Sequence, residues 1–202
     1  MWPRGINVPV PHPSLAALRQ AVARPAQPAE APKRAAVAAI FTRNLDLVFI
    51  RRAEFPGDPW SGHIAFPGGQ VEVRDPSPLH AAIRETEEEI GVDLRGAECL
   101  GPLDHVAPVS GLRPIAIEPF VFYVDAEPIF QPNAEVQSVH RVPLARLLHS
   151  EGRGRMPYHW QGRARQLPCI ELDGLCLWGL TLRAVDDLLH RLDGRGMGLD
   201  RT

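Results

Sequence analysis

The chain has 202 residues, 45% hydrophobic and 23% charged, with a formal net charge of −2. That length and balance suit one globular domain with terminal extensions, and a charge so close to neutral gives no basic face for general nucleic-acid binding. No apolar run approaches the roughly 18 residues of a membrane span. The opening MWPRGINVPVPHP lacks the apolar core of a signal peptide, so a cytoplasmic location is expected. Cys99, Cys169 and Cys176 show no C-x-x-C spacing and cannot all pair, which reads as reduced, mostly buried thiols.

Residues 1–34 form an N-terminal extension. Its first part is Pro-rich and irregular. Ser14 then caps a short amphipathic helix with Leu15, Leu18 and Val22 on one side, and a Pro/Ala linker follows. The pattern changes at Ala35. AAVAAIFT and LDLVFIRR read as two strands joined by a tight turn at Arg43-Asn44, and runs so continuously apolar imply a sheet covered on both faces. GHIAF, 62–66, reads as a further short strand.

The stretch 66–92, FPGGQVEVRDPSPLHAAIRETEEEIGV, is the most informative in the chain. Its second half is a helix ending at Gly91, where a left-handed residue is expected. At about 100° per residue with Glu85 as zero, Glu88 falls near 300° and Glu89 near 40°. Leu79, Ile83, Thr86 and Ile90 fall between about 100° and 160°, and Ala81 near 320°, one turn back on the acidic side. This predicts one buried face and an opposite face with three carboxylates in a single turn. Like charges at that spacing destabilise a helix by a few tenths of a kcal/mol per pair, so a divalent cation, Mg2+ or Mn2+, is one reason for them. A solvated acidic face is the other. Glu87, near about 200°, reads as solvated.

Downstream, 99–106 and 117–124 have strand composition and flank the loop APVSGLRP. Val142-Pro143-Leu144 opens a short helix to about His149, and EGRGRM, 151–156, reads as a basic Gly-rich loop beside a hairpin of 158–160 with 167–171. Trp178 leads into a final amphipathic helix carrying Leu182, Val185, Leu188, Leu189 and Leu192, and 193–202 read as a flexible tail. Strands mixed with two principal helices give an α/β/α sandwich around a mixed β-sheet spanning 35–192.

The run Arg84-Glu85-Thr86-Glu87-Glu88-Glu89-Ile90-Gly91-Val92, preceded by Gly68-Gly69, resembles the Nudix box. The first half departs slightly: five residues after Gly69 comes Asp75 rather than Glu, and eight residues rather than seven separate it from Arg84. The resemblance implies a Nudix-type sandwich and metal-dependent hydrolysis of a phosphoanhydride. It places Glu85, Glu88, Glu89 and the carbonyl of Gly68 around Mg2+ or Mn2+, with Arg84 orienting Glu85 and Asp75 holding the loop against the helix. The general base in such proteins is a box glutamate or one from a distant loop, and Glu135 is the loop candidate here; an exposed turn carboxylate is its ordinary reading.

Leu47 to Ala53, Gly62 to Gly69, Asn133 to Val136, Val142 to Leu144 and Trp178 to Thr181 also resemble landmarks of the coenzyme A diphosphatase subfamily. That likeness implies coenzyme A or acyl-coenzyme A cut to 3′,5′-ADP and phosphopantetheine, and a homodimer. An arginine of the subfamily pattern is missing where PGDPWS, 56–61, stands, and His63 takes the place of a Gln. Arg51, Arg52, His63, Arg113 and the Arg153/Arg155 loop are the candidate substrate-binding groups, each with solvation as its ordinary reading. Trp60 is read either as an adenine-stacking ring or as a core or interface residue. Hydrolysis of ADP-ribose, NADH or another nucleotide is the alternative reading, and a non-catalytic nucleotide sensor a further one.

Overall fold

The computed structural model describes residues 13–26, 31, 33–58, 60–108, 115–160 and 163–193. In chain order the elements are α1 (Leu15–Val22), β1 (Lys33–Phe41), β2 (Asp46–Arg52), β3 (Ile64–Ala65), β4 (Gly68–Gln70), α2 (Pro78–Ile90) and β5 (Glu98–Pro102). They continue with β6 (Ile115–Tyr123), β7 (Val136–Pro143), α3 (Leu144–Leu148), β8 (Arg153–Trp160), β9 (Arg163–Leu172), β10 (Leu175–Trp178) and α4 (Gly179–Leu192). The main sheet runs β3-β2-β1-β6-β5, with β4 paired to β1 and β7 to β2. Only the β1–β6 pairing among these is parallel. The sheet is mixed, as the alternation of strands and helices predicts.

The continuous apolar runs of β1 and β2 are buried on both sides. Ala39, Phe41, Leu47 and Phe49 face a core shared with Leu18 and Val22 of α1, Leu182, Val185 and Leu188 of α4, and Ile170, Leu175 and Leu177 of β9 and β10. Ala38, Ile40, Val48 and Ile50 face the opposite core, under Ile90 of α2. Burying each Leu or Phe contributes about 1.5–3 kcal/mol, so the two cores fix which helix lies on which face. Ser14 Oγ accepts from the Ala17 N–H, the cap expected for α1.

Three expectations need correction. EGRGRM is not wholly a loop: β8 begins at Arg153, and a three-stranded sheet β10-β9-β8 replaces the short hairpin. Its strands mix arginines, prolines and glycine with apolar residues and lack clean alternation, so periodicity understated them. Cys99 is exposed rather than buried. The buried face of α2 is also rotated toward its acidic side: Ala81, Ala82 and Glu89 are buried, whereas Leu79 and Ile83 are only partly so. Small residues explain the rotation, because Ala81 and Ala82 close directly on Ala36 of β1. Among the described residues no helix is long and apolar enough to cross a membrane.

Candidate active site

The site is built where α2 crosses β4 and the end of β2. Glycine lets the helix come this close. A Cβ at Gly69 would lie 2.5 Å from the carboxyl carbon of Glu85, so the backbone of β4 rests against that carboxylate. At Gly68, φ is +142°, and a Cβ would meet the Ala36 carbonyl at 2.3 Å. The freed Gly68 N–H donates to Glu89 Oε2 at 2.8 Å.

Arg84 knots the loop 70–75 to the helix. Its Nε and Nη2 donate to the two Asp75 oxygens, each at 3.0 Å. Nη1 donates to Glu85 at 2.9 Å and Glu88 at 3.1 Å, and Nη2 also reaches the Gln70 carbonyl at 3.2 Å. These bonds hold the Asp75 carboxyl down at about 2. The expected pairing of Arg84 with Glu85, and of the Asp75 loop with the helix, is thus present as geometry.

Glu89 is 2% exposed, and burial pushes its carboxyl up to about 7 against the help of the Gly68 N–H. Burial also raises Glu85, opposed by Arg84 and reinforced by Glu88 and Glu135. Glu135 acts on both glutamates although it lies far along the chain from them. The reason is the end of α2. Its last carbonyls, at Glu89 and Ile90, accept from the N–H groups of Asn133 and Gln131 at 2.9 and 2.8 Å, which brings the 131–135 loop to the helix end. Asn133 Oδ1 in turn accepts from the Glu135 N–H.

Glu88 is half exposed and is drawn to Arg84 and Arg74. Glu87 faces elsewhere and pairs with Arg95. Among the described residues, no three His, Cys, Asp or Glu side chains as they stand are gathered tightly enough to hold a metal ion. The donor chemistry still fits a hard divalent cation: all-oxygen ligands, two carboxylates partly stripped of water, and a third pressing on them.

The candidate substrate groups separate. A bulge in the β2–β7 pairing lies between Arg51 and Arg52. Arg52 falls on the α2 side of the sheet, close enough to Glu89 to favour its charged form. Its Nη2 donates to Asp58 Oδ2 at 3.1 Å, while its buried Nε has no hydrogen-bond partner among the described residues. Arg51 falls on the other side and donates to the Gly174 carbonyl. His63 stands beside Asp58 and Arg52, and its ring meets Trp178 edge-on at 4.8 Å. Arg153 pairs with Asp186 of α4 and Arg155 with the Gln166 carbonyl of β9, so the first ties the second sheet to the last helix and the second braces the sheet itself. Trp60 is 39% exposed, neither fully buried nor free. Arg113 lies outside the described residues.

Sequence reasoning missed Asp58. The Pro-Gly-Asp turn was the available signal, since an Asp at such a position accepts backbone N–H groups locally, here that of Trp60 at 3.0 Å.

A family model for the NUDIX domain matches residues 32–160. Proteins described as the uncharacterized Nudix hydrolase NudL, from Escherichia fergusonii and from Escherichia coli K12, are each 30% identical over 129 residues. The match covers 63% of this chain and 66% of theirs, just under two thirds of the relatives' length. Among solved structures, the NUDIX domain of Shewanella oneidensis NrtR, complexed with ADP ribose, is 21% identical with a TM-score of 0.46, covering 60% of this chain and 79% of that one. A MutT/nudix family protein from Enterococcus faecalis is 18% identical with a TM-score of 0.49, over 91% and 69%.

Proposed function

The chain belongs to the Nudix family, and from that premise we propose that it is a metal-dependent hydrolase of a nucleoside diphosphate linked to a second moiety. The observation that carries the reading is the pair of buried Glu89 and partly buried Glu85, wedged against Gly68-Gly69, with Arg84 holding Glu85. Mg2+ or Mn2+ would be held by Glu85, Glu88, Glu89 and the carbonyl of Gly68. When bound, such an ion supplies neutralisation of phosphate charge and a lower pKa for the attacking water.

The remaining work falls to the chain itself. Arg84 fixes the Glu85 carboxylate through Nη1 and is itself fixed by Asp75, so Glu85 is presented in one orientation. Glu135, exposed at the end of α2, is the group we assign to take the proton of the attacking water. Arg52, steadied by Asp58 on one edge, supplies a guanidinium charge for a phosphate of the substrate.

For the substrate we propose coenzyme A or a short acyl derivative, cut at the diphosphate to 3′,5′-ADP and a phosphopantetheine. The support is the set of separated sequence stretches, together with Arg52 on the α2 side of the sheet as a cation for the 3′-phosphate. The test is kcat/KM for coenzyme A, dephospho-coenzyme A, ADP-ribose and NADH on one preparation with magnesium or manganese. Coenzyme A should lead dephospho-coenzyme A by about tenfold, the scale of one charge-assisted hydrogen bond, and Arg52→Ala should narrow that gap. If ADP-ribose or NADH wins by about tenfold, the substrate assignment fails while phosphoanhydride hydrolysis stands.

A further inference from the structure

The second sheet has two unlike faces. Its inner face, Ile170, Leu172, Leu175 and Leu177, belongs to the main core. Its outer face carries sulfur. Trp178 stands opposite Cys169 and Cys176 opposite Glu171, so Cys169 and Cys176 are diagonal neighbours on one side of the ladder. Across β8, Gly154 faces Cys169 and Met156 faces Leu167, which puts Met156 on that same side. With only a glycine opposite Cys169 on the β8 side, space over that residue is left there to the longer Met156 side chain.

Cys176 Sγ lies 3.6 Å from Met156 Sδ, and the register sets Cys169 diagonally beside Cys176 on the same side of the sheet. Both thiols are free, Cys169 buried and Cys176 partly exposed. Free cysteines commonly serve as small core hydrophobes, but these two sit on the face turned away from the leucine core. Two thiols and a thioether gathered on one side of the ladder make a soft donor set, the kind that selects thiophilic d10 ions over magnesium or calcium.

We propose that Met156, Cys169 and Cys176 form a binding site for one soft, thiophilic monovalent cation of the Cu(I) class. Binding replaces each thiol S–H by an S–metal bond and gives the two protons to solvent. The register disfavours the obvious rival, a Cys169–Cys176 disulfide. Diagonal neighbours on adjacent strands sit about 7–8 Å apart, beyond the roughly 4.4–6.8 Å between Cα atoms that a disulfide spans. A shared ion asks less, because sulfurs at metal–thiolate lengths of about 2.3 Å need only come within about 4 Å of each other. The site is separate from the carboxylates of α2 and does not depend on the hydrolase assignment.

The experiment is an anaerobic titration of the reduced full-length protein with Cu(I) delivered from a coloured bidentate chelator. Native mass spectrometry gives the stoichiometry, and circular dichroism checks each variant's fold. Wild type and Cys99→Ser should each withdraw one Cu(I) per chain from the chelator. Cys176→Ser, at a partly exposed position, should lower the affinity by at least about a hundredfold, and Met156→Leu by about tenfold, as expected for a thiolate and a weaker thioether ligand. Failure of the wild-type protein to compete with the chelator overturns the proposal. So does unchanged affinity in Cys176→Ser, or, should that variant misfold, unchanged affinity in Met156→Leu. A product lighter by two hydrogens after exposure to peroxide, absent in Cys176→Ser, would also overturn it by showing that the cysteines reach a disulfide.

Discussion

Two helices of this protein bury charge, and they do so in opposite ways. On α4, Arg191 is 7% exposed and donates from Nε to both oxygens of Asp187, from Nη2 to Asp104 at 2.9 Å, and from Nη1 to the Arg24 carbonyl. Asp187 also accepts from the Asp104 N–H. That cluster closes on itself and ties the chain after α1 and the segment after β5 to the last helix. On α2, Arg84 is spread over Asp75, Glu85 and Glu88, while Glu89 behind it has a backbone N–H and a raised pKa. A buried charge matched by its neighbours holds a fold together; one in excess of its neighbours is a cost that folding alone does not repay, and such places serve ligands.

Breaking the closed cluster should show in stability. Arg191→Met leaves Asp187 buried without its partner and should cost about 3–5 kcal/mol, read from chemical denaturation, with kcat essentially unchanged in the folded fraction. A cost under about half a kcal/mol, the usual range for a surface change, would show that the cluster is not structural.

The open cluster should show instead as a pH dependence of the metal-free protein. Glu89's folded value of about 7 lies above its ordinary 4.5, so the folded chain keeps a proton that the unfolded chain releases between those values. Stability in chelator should therefore be greatest below pH 4.5 as far as this group is concerned, and fall as pH rises toward 7, by up to about 3 kcal/mol. Glu89→Gln should flatten that window, and saturating magnesium should shrink it. The same slope in wild type and Glu89→Gln would assign it to another group.

The smallest effect sharpens the contrast within one helix turn. Glu87→Gln removes a carboxylate paired on the exposed side with Arg95, so stability should move by less than about half a kcal/mol, and kcat/KM should stay near wild type. A large loss of activity would mean that the whole acidic run matters rather than its buried members.

Much of this is legible in the residues. The Arg43-Asn44 turn, the Ser14 cap and the Gly91 terminus each stand on short-range chemistry, and the structure has all three. Angles on the helix place Glu85 and Glu89 together and turn Glu87 away. They do not give the depth of Glu89, because that is set by Ala36, Ala81 and the glycines of β4, which lie on other elements. Nor do they separate Arg51 from Arg52: adjacent in sequence, the two fall on opposite faces of a strand, and only the sheet says which face meets α2. In the Asp104–Asp187–Arg191 cluster the i,i+4 pair on α4 is a local pattern, but its link to Asp104, 83 residues away, is not. Glu135 stands out from its loop as a candidate base, yet its nearness to Glu85 and Glu89 follows from the carbonyls that end α2.

The proposed site stands or falls on Glu89, and one variant tests it. Glu89→Gln keeps the size of the side chain and an oxygen for the Gly68 N–H while removing the charge. Phosphoanhydride hydrolysis at saturating magnesium should fall by about two orders of magnitude or more, comparable to the loss of a principal electrostatic group, with the fold intact and the metal-free protein at least as stable above pH 7. Near-normal turnover in a folded Glu89→Gln protein would contradict the assignment.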